Sequence, residues 1–164
     1  MSITVPEYVL SVDRSQLAEF FLSFARFEFS LKASGFACKG QWGAEVDWIK
    51  FSREIGPSLL RSTSRGLQQS ITYLRSSPPK QQVFANHTLC WQPRTPPANW
   101  SEMQKLLFYV RGTRNNLVHG AKFIARENTD PDRDEKLLEA ASCVLAECLR
   151  LCPKASRAFN GDAP

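Results

Sequence analysis

Apolar residues recur at spacings of three and four along most of this chain, a period that suits helices and excludes an extended sheet. The clearest run follows Asp13. Leu17, Phe20, Phe21, Phe24, Glu28 and Leu31 share one helical face. Asp13 with Gln16 three residues later forms a capping box, and Gly35 is a natural C-terminal stop. A helix is therefore expected over about 13–34. A second is expected from Gly43 to Glu54, ended by Gly56. Pro57 then suits the first turn of a third, about 58–75, whose apolar face is Leu60, Leu67, Ile71 and Leu74. Ser101 and Gln104 form another capping box and open a fourth helix, from Glu102 to about His119, where Gly120 stops it. Asp130-Pro131 opens a fifth, about 131–152, lined by Leu137, Leu138, Ala141, Val144, Leu145, Cys148 and Leu149.

Two segments break this pattern. Residues 76–100 hold five prolines together with Phe84, Trp91 and Trp100. They are expected to form an irregular Pro/Trp-rich insert that packs back on the helices. Core packing is the expected role of its tryptophans, with dimer contact or base stacking as alternatives. Residues 153–164 are polar and expected to fray, and residues 1–12 form a short leader with room for one strand. There is no internal repeat and no run of strands. The fold class is all-α: one domain over 1–164, its core at about 13–152, built as a helical bundle of about five helices.

Composition removes several function classes. The 164 residues are 43% apolar and 23% charged, as in a globular protein. No apolar run approaches the roughly 20 residues of a membrane span. The start MSITVPEYVLSVDRS has no basic segment followed by an apolar stretch, so a secretory signal is not expected. The five cysteines are odd in number and include no C-x-x-C, which fits a reduced, cytoplasmic protein. Only two histidines occur, His87 and His119, so multi-histidine zinc sites are excluded and imidazole chemistry must use one of these two. Asp130, Asp132 and Asp134 imitate a calcium loop, but Glu135 stands where Gly is needed and Ala141 where Glu is needed. They read instead as acidic residues opposing a helix macrodipole. Cys148 and Cys152 lie four apart without further soft ligands. No metal and no cofactor is expected.

The chemistry-bearing stretch is Val110-Arg111-Gly112-Thr113-Arg114-Asn115-Asn116-Leu117-Val118-His119-Gly120. On a helix, Arg114 projects from the apolar face, about 20° from the Met103 direction. Arg111, Asn115 and His119, at i, i+4 and i+8, form a polar stripe beside it. Glu28 repeats the anomaly, a carboxylate in the middle of the first helix's aromatic face. Buried charges need partners. Arg114 or Arg111 is the candidate partner for Glu28, so the first and fourth helices are expected to meet. A bland alternative stays open: His119 favours the helix dipole and Arg114 is a structural ion pair.

The Arg114-to-His119 run on a late helix of a small bundle resembles the HEPN domains, marked by R-x(4–6)-H with a polar residue after the Arg. The first helix, Arg26-Phe27-Glu28-Phe29-Ser30-Leu31-Lys32 with Gly35-Phe36 beyond, also looks like that of plasmid- and phage-defence-associated HEPN families. The resemblance covers about 15–152 and omits the insert. It implies a metal-independent endoribonuclease, possible as a toxin or anti-phage effector, acting as a homodimer with one composite cleft. His119 becomes the general acid or base, Arg114 the fork for phosphate oxygens, and Asn115 the orienting amide. Arg111, Asn116 and Lys122 become holders of flanking phosphates. RNA is the implied partner and an antitoxin protein a possible one. Gly120-Ala121-Lys122-Phe123 stands where HEPN toxins modified by an AMP-adding antitoxin carry a Tyr. The net charge of +5 suits a nucleic-acid ligand. The alternatives are a non-cleaving RNA- or nucleotide-binding module and a structural helical interaction protein.

Overall fold

The computed structural model describes residues 11–118 and 130–162. Helix α1 (Arg14–Leu31) starts at the expected cap, where the Asp13 carboxylate accepts the N–H groups of Ser15 and Gln16. It ends in one wide turn, Lys32–Phe36, in which Gly35 takes a left-handed conformation with φ 85°. That conformation is easy only without a Cβ, which is why the stop falls at this glycine.

The next segment departs from the expected helix over Gly43–Glu54. A short antiparallel hairpin intervenes, β1 (Ala37–Lys39) with β2 (Ala44–Val46). Helix α2 (Trp48–Leu60) begins only after Asp47, whose carboxylate accepts the Lys50 N–H. Gly56 does not stop this helix. It sits where α2 passes α4, and a Cβ there would come within 2.9 Å of the Met103 Cβ. Pro57 likewise lies inside α2 instead of opening α3, and it withholds one backbone hydrogen bond. Burial of Phe51, Ile55 and Leu59 on the inward side holds the helix together across that gap. Helix α3 (Arg65–Ser76) starts later than expected, at Ser64, whose hydroxyl accepts the Leu67 N–H.

Residues 76–100 are not irregular throughout. They contain an antiparallel hairpin of β3 (Gln81–Ala85) and β4 (Thr88–Gln92), with Phe84 opposite Leu89 and Gln82 opposite Trp91. The turn is Asn86-His87, both at positive φ (51° and 59°), the backbone twist that two-residue hairpins favour. Trp91 and Trp100 are half-buried and join no core cluster. Trp100 meets the Phe108 ring edge-on at 5.7 Å. The expected core packing of the two tryptophans is therefore replaced by packing at the rim.

Helix α4 (Glu102–Val118) opens on the expected box: the Ser101 hydroxyl accepts the Gln104 N–H, and the Gln104 side-chain oxygen accepts the Ser101 N–H. Helix α5 (Pro131–Leu151) is capped by Asp130, which accepts the Arg133 N–H. A sixth helix, α6 (Pro153–Asn160), corrects the frayed tail. Ala155 and Ala158 are buried, and α6 packs on α1. Arg26 donates to the carbonyls of Ala158 and Phe159, both at 2.9 Å, so a side chain of α1 satisfies the free end of α6.

The described chain is thus mainly α-helical, with six helices and two small hairpins. No described helix is long and apolar enough to cross a membrane. The buried residues form one cluster fed by all six helices. Its densest part is aromatic, with Phe51 edge-on to Phe27 at 5.9 Å and to Phe36 at 5.1 Å. Phe21, expected on the core face, points outward and is 45% exposed. The inward face of α1 is centred on Phe20, Phe24, Phe27 and Leu31, and Phe21 lies well off it.

Truncating Phe27 to Ala should cost about 3–5 kcal/mol in urea unfolding, because it leaves a cavity against Phe51 and Trp48. Phe84→Ala, on the exposed hairpin, should stay within about 0.5 kcal/mol of wild type in the same assay.

Candidate functional site

Helix α4 presents Arg111, Arg114, Asn115 and Asn116 on its last turns. Arg114 faces α1. Its Nη2 donates to the Glu28 Oε1 at 2.9 Å, with each side chain 27% exposed. The two charges that stood on apolar faces in the sequence therefore meet. The Arg114 guanidinium also lies over the Phe24 ring, 5.0 Å from its centre. Its Nε is buried without a hydrogen-bond partner among the described residues.

Arg111, one turn earlier, likewise lies over the Trp48 ring, 5.0 Å from its centre. Burial pulls its pKa below the usual arginine value; Glu28 opposes that shift, while Arg114 and Arg94 reinforce it. It stays a cation at neutral pH but is partly stripped of water. Arg94, from the segment between β4 and α4, covers the Phe108 ring at 4.2 Å, and burial lowers its pKa as well. Gly112 makes this approach possible. A Cβ there would lie 3.0 Å from Pro79 Cγ and 3.4 Å from Arg94 Nη1.

Three arginines on three aromatic faces thus share one neighbourhood, and the carboxylates that bear on Arg111 are Glu28 and Glu45. A guanidinium over a ring is attracted by the ring's face and keeps donors beyond it, although Arg114 has already given one to Glu28. Such an array suits an anion with several oxygens, as a phosphodiester has. Arg94, Trp48 and Glu45 were missed in the sequence. The usable signal was Gly112, a helix-interior glycine between two arginines, which marks a close approach to α4.

Asn115 is half-buried on the stripe with Arg111. Asn116 donates through Nδ2 to the Lys80 carbonyl at 2.7 Å, tying α4 to the start of the β3–β4 hairpin. His119 and Lys122 lie outside the described residues. His87 is at the hairpin tip, edge-on to Phe84 at 6.4 Å, on the other element.

Among the described residues no group of three His, Cys, Asp or Glu side chains converges as a metal site would require. Burial pushes the Cys148 thiol well above its usual pKa, so it is neither a ready ligand nor a nucleophile at neutral pH. Iodoacetamide at pH 8 should therefore modify exposed Cys38 and leave Cys148 unmodified in the folded protein, as read by peptide mass spectrometry. A double-mutant cycle of Glu28→Gln with Arg114→Met should give a coupling of about 1 kcal/mol in urea unfolding, since the pair is partly shielded from water.

No family model matches the chain, and no curated protein or solved structure matches it either.

Proposed function

We infer that this protein is a HEPN-like RNA-cleaving homodimer that works without a metal. The observation that supports this reading most is the cluster of Arg111 and Arg114, with Arg94 beside them, each lying over an aromatic ring, on the helix whose sequence continues to His119. The reaction is attack of the ribose 2′-oxygen on the adjacent phosphorus. The 2′-O–P bond forms, the P–O5′ bond breaks, one proton leaves the 2′-hydroxyl and another reaches the leaving oxygen. An unperturbed imidazole titrates near about pH 6.5 and can do either transfer. His119 is the group assigned to it. With one such imidazole per subunit, the second transfer falls to the partner's His119 across the composite cleft.

Arg114 and Arg111 have the complementary task. The pentacoordinate phosphorus carries more negative charge than the substrate, and preorganised guanidiniums stabilise that excess. Asn115 orients His119 or the sugar, while Asn116 and Lys122 hold flanking phosphates. RNA is the substrate class, the cytoplasm is the assigned compartment, and a toxin or anti-phage effector with an antitoxin partner is the assigned role.

One observation favours a second reading. Glu28 already occupies one donor of Arg114, which suits a purely structural ion pair in a helical interaction protein. A cluster that binds RNA or a nucleotide without cutting it lies between the two.

The three separate in one experiment, incubation of the purified protein with RNA in EDTA. Wild type should cleave. His119→Ala should lose about 10²–10⁴-fold in rate, the usual weight of a general acid or base. Arg114→Ala should lose about 10²-fold or more, as the removal of a donor to a developing oxyanion does. His87→Ala should cleave as wild type does. Cleavage that persists in both site variants overturns the assignment. Salt-sensitive retention of uncut RNA on filters identifies the binding module, and neither cleavage nor retention identifies the structural protein.

A further inference from the structure

Helix α1 is apolar on two opposite sides. Its inward side is spent on the core. Its outward side carries Ala18, Phe21, Leu22, Ala25 and Phe29, all exposed, with Phe21 at 45%, Leu22 at 62% and Phe29 at 52%. At 100° per residue these five fall within about 100° of one another, so they form one continuous stripe. A helix that is apolar all round is ordinarily covered on every side. Ala18, Leu22, Ala25 and Phe29 are spaced four, three and four, the seam pattern of paired helices.

We propose that this stripe seats a second copy of this chain, α1 against α1 in antiparallel register. The sequence of the stripe is complementary to its own reverse. An antiparallel pair with its two-fold axis between positions 23 and 24 sets large Phe29 against the partner's Ala18 and Leu22 against the partner's Ala25. Phe29 and Leu22 then each meet an alanine, as a closed two-fold contact favours, and Phe21 lies at the edge of the stripe outside this seam. A parallel pair sets Phe29 on Phe29 and Ala18 on Ala18, crowding one end and leaving the other slack.

Charge agrees with the same register. Glu19 and Arg26 lie on the same flank of the stripe. In an antiparallel pair like flanks meet, and Glu19 comes within about 3 Å along the axis of the partner's Arg26 at 1.5 Å rise per residue. Arg26 is also well placed, since its bonds to the α6 carbonyls and its position 5.1 Å over the Phe29 ring hold it still. At 100° per residue Glu28 lies about 20° beyond Phe21, between the stripe and the inward side, so this contact borders the Glu28–Arg114 ion pair without using either of its charges. It does not rest on the RNA-cleaving reading, and its readout is mass.

Sedimentation velocity of the full chain tests it. Leu22→Glu should halve the sedimenting mass. Ala18→Phe and Phe29→Ala should each weaken association by about tenfold or more. The double variant Ala18→Phe with Phe29→Ala should restore it, because the large–small pairing is exchanged and preserved. Circular dichroism on each variant confirms that these exposed substitutions leave the fold intact. A wild-type chain that sediments as a monomer, an assembly that Leu22→Glu leaves unchanged, or a double variant no tighter than its parents overturns the proposal.

Discussion

Glu28 and Arg114 depend on each other for their place among apolar side chains. Either one, set alone against Phe24 and its neighbours, pays for desolvation with no return. Paired at 2.9 Å they hold α1 and α4 at a fixed rotation about their axes. One turn away on the same helix, Arg111 lies over Trp48.

Two glycines do the corresponding work for the backbone. Gly56 lets α2 pass close to α4 at Met103, and Gly112 lets Pro79 and Arg94 press on α4 between the two site arginines. A glycine inside a helix costs about 0.5–1 kcal/mol relative to Ala. Here that cost is set against close packing that a Cβ would crowd, at Gly56 by Met103 and at Gly112 by Pro79. The hairpin β3–β4 is fastened by the same helix, through the Asn116 amide on the Lys80 carbonyl. Helix α4 therefore both contributes to the core and carries two of the three arginines.

The sequence carried the caps well, because a side-chain acceptor two or three residues before an N–H is a local interaction. Asp13, Ser101 and Asp130 all cap where their spacing predicted. The Glu28–Arg114 contact was legible for a different reason: a charge on an apolar face has few ways to be satisfied. Tertiary contacts were less legible. Gly56 and Pro57 read as punctuation, yet close packing against Met103 carries α2 through both. The β3–β4 hairpin hid among prolines, since its turn, Asn86-His87, is not the usual Asn-Gly. Helix α6 has only eight residues and gives just two alanines to the core, too little for a periodic signal. Arg94 lay in the proline-rich segment, and only the three-dimensional path through Gly112 brings it to the site.

The arginine cluster is also an electrostatic imbalance that the fold has accepted. Arg94 and Arg111 are both partly desolvated, and like charge from Arg94 and Arg114 adds to the cost at Arg111. Aromatic faces return part of it, roughly 0.5–2 kcal/mol for each stacked cation depending on exposure. Glu28 is committed to Arg114, so among the described residues Arg94 and Arg111 have no equivalent counterion in direct contact. Were a polyanion to bind here, it would meet cations whose hydration is already reduced. The desolvation that a hydrated lysine cluster would undergo at the moment of binding has, for these arginines, been met in part during folding.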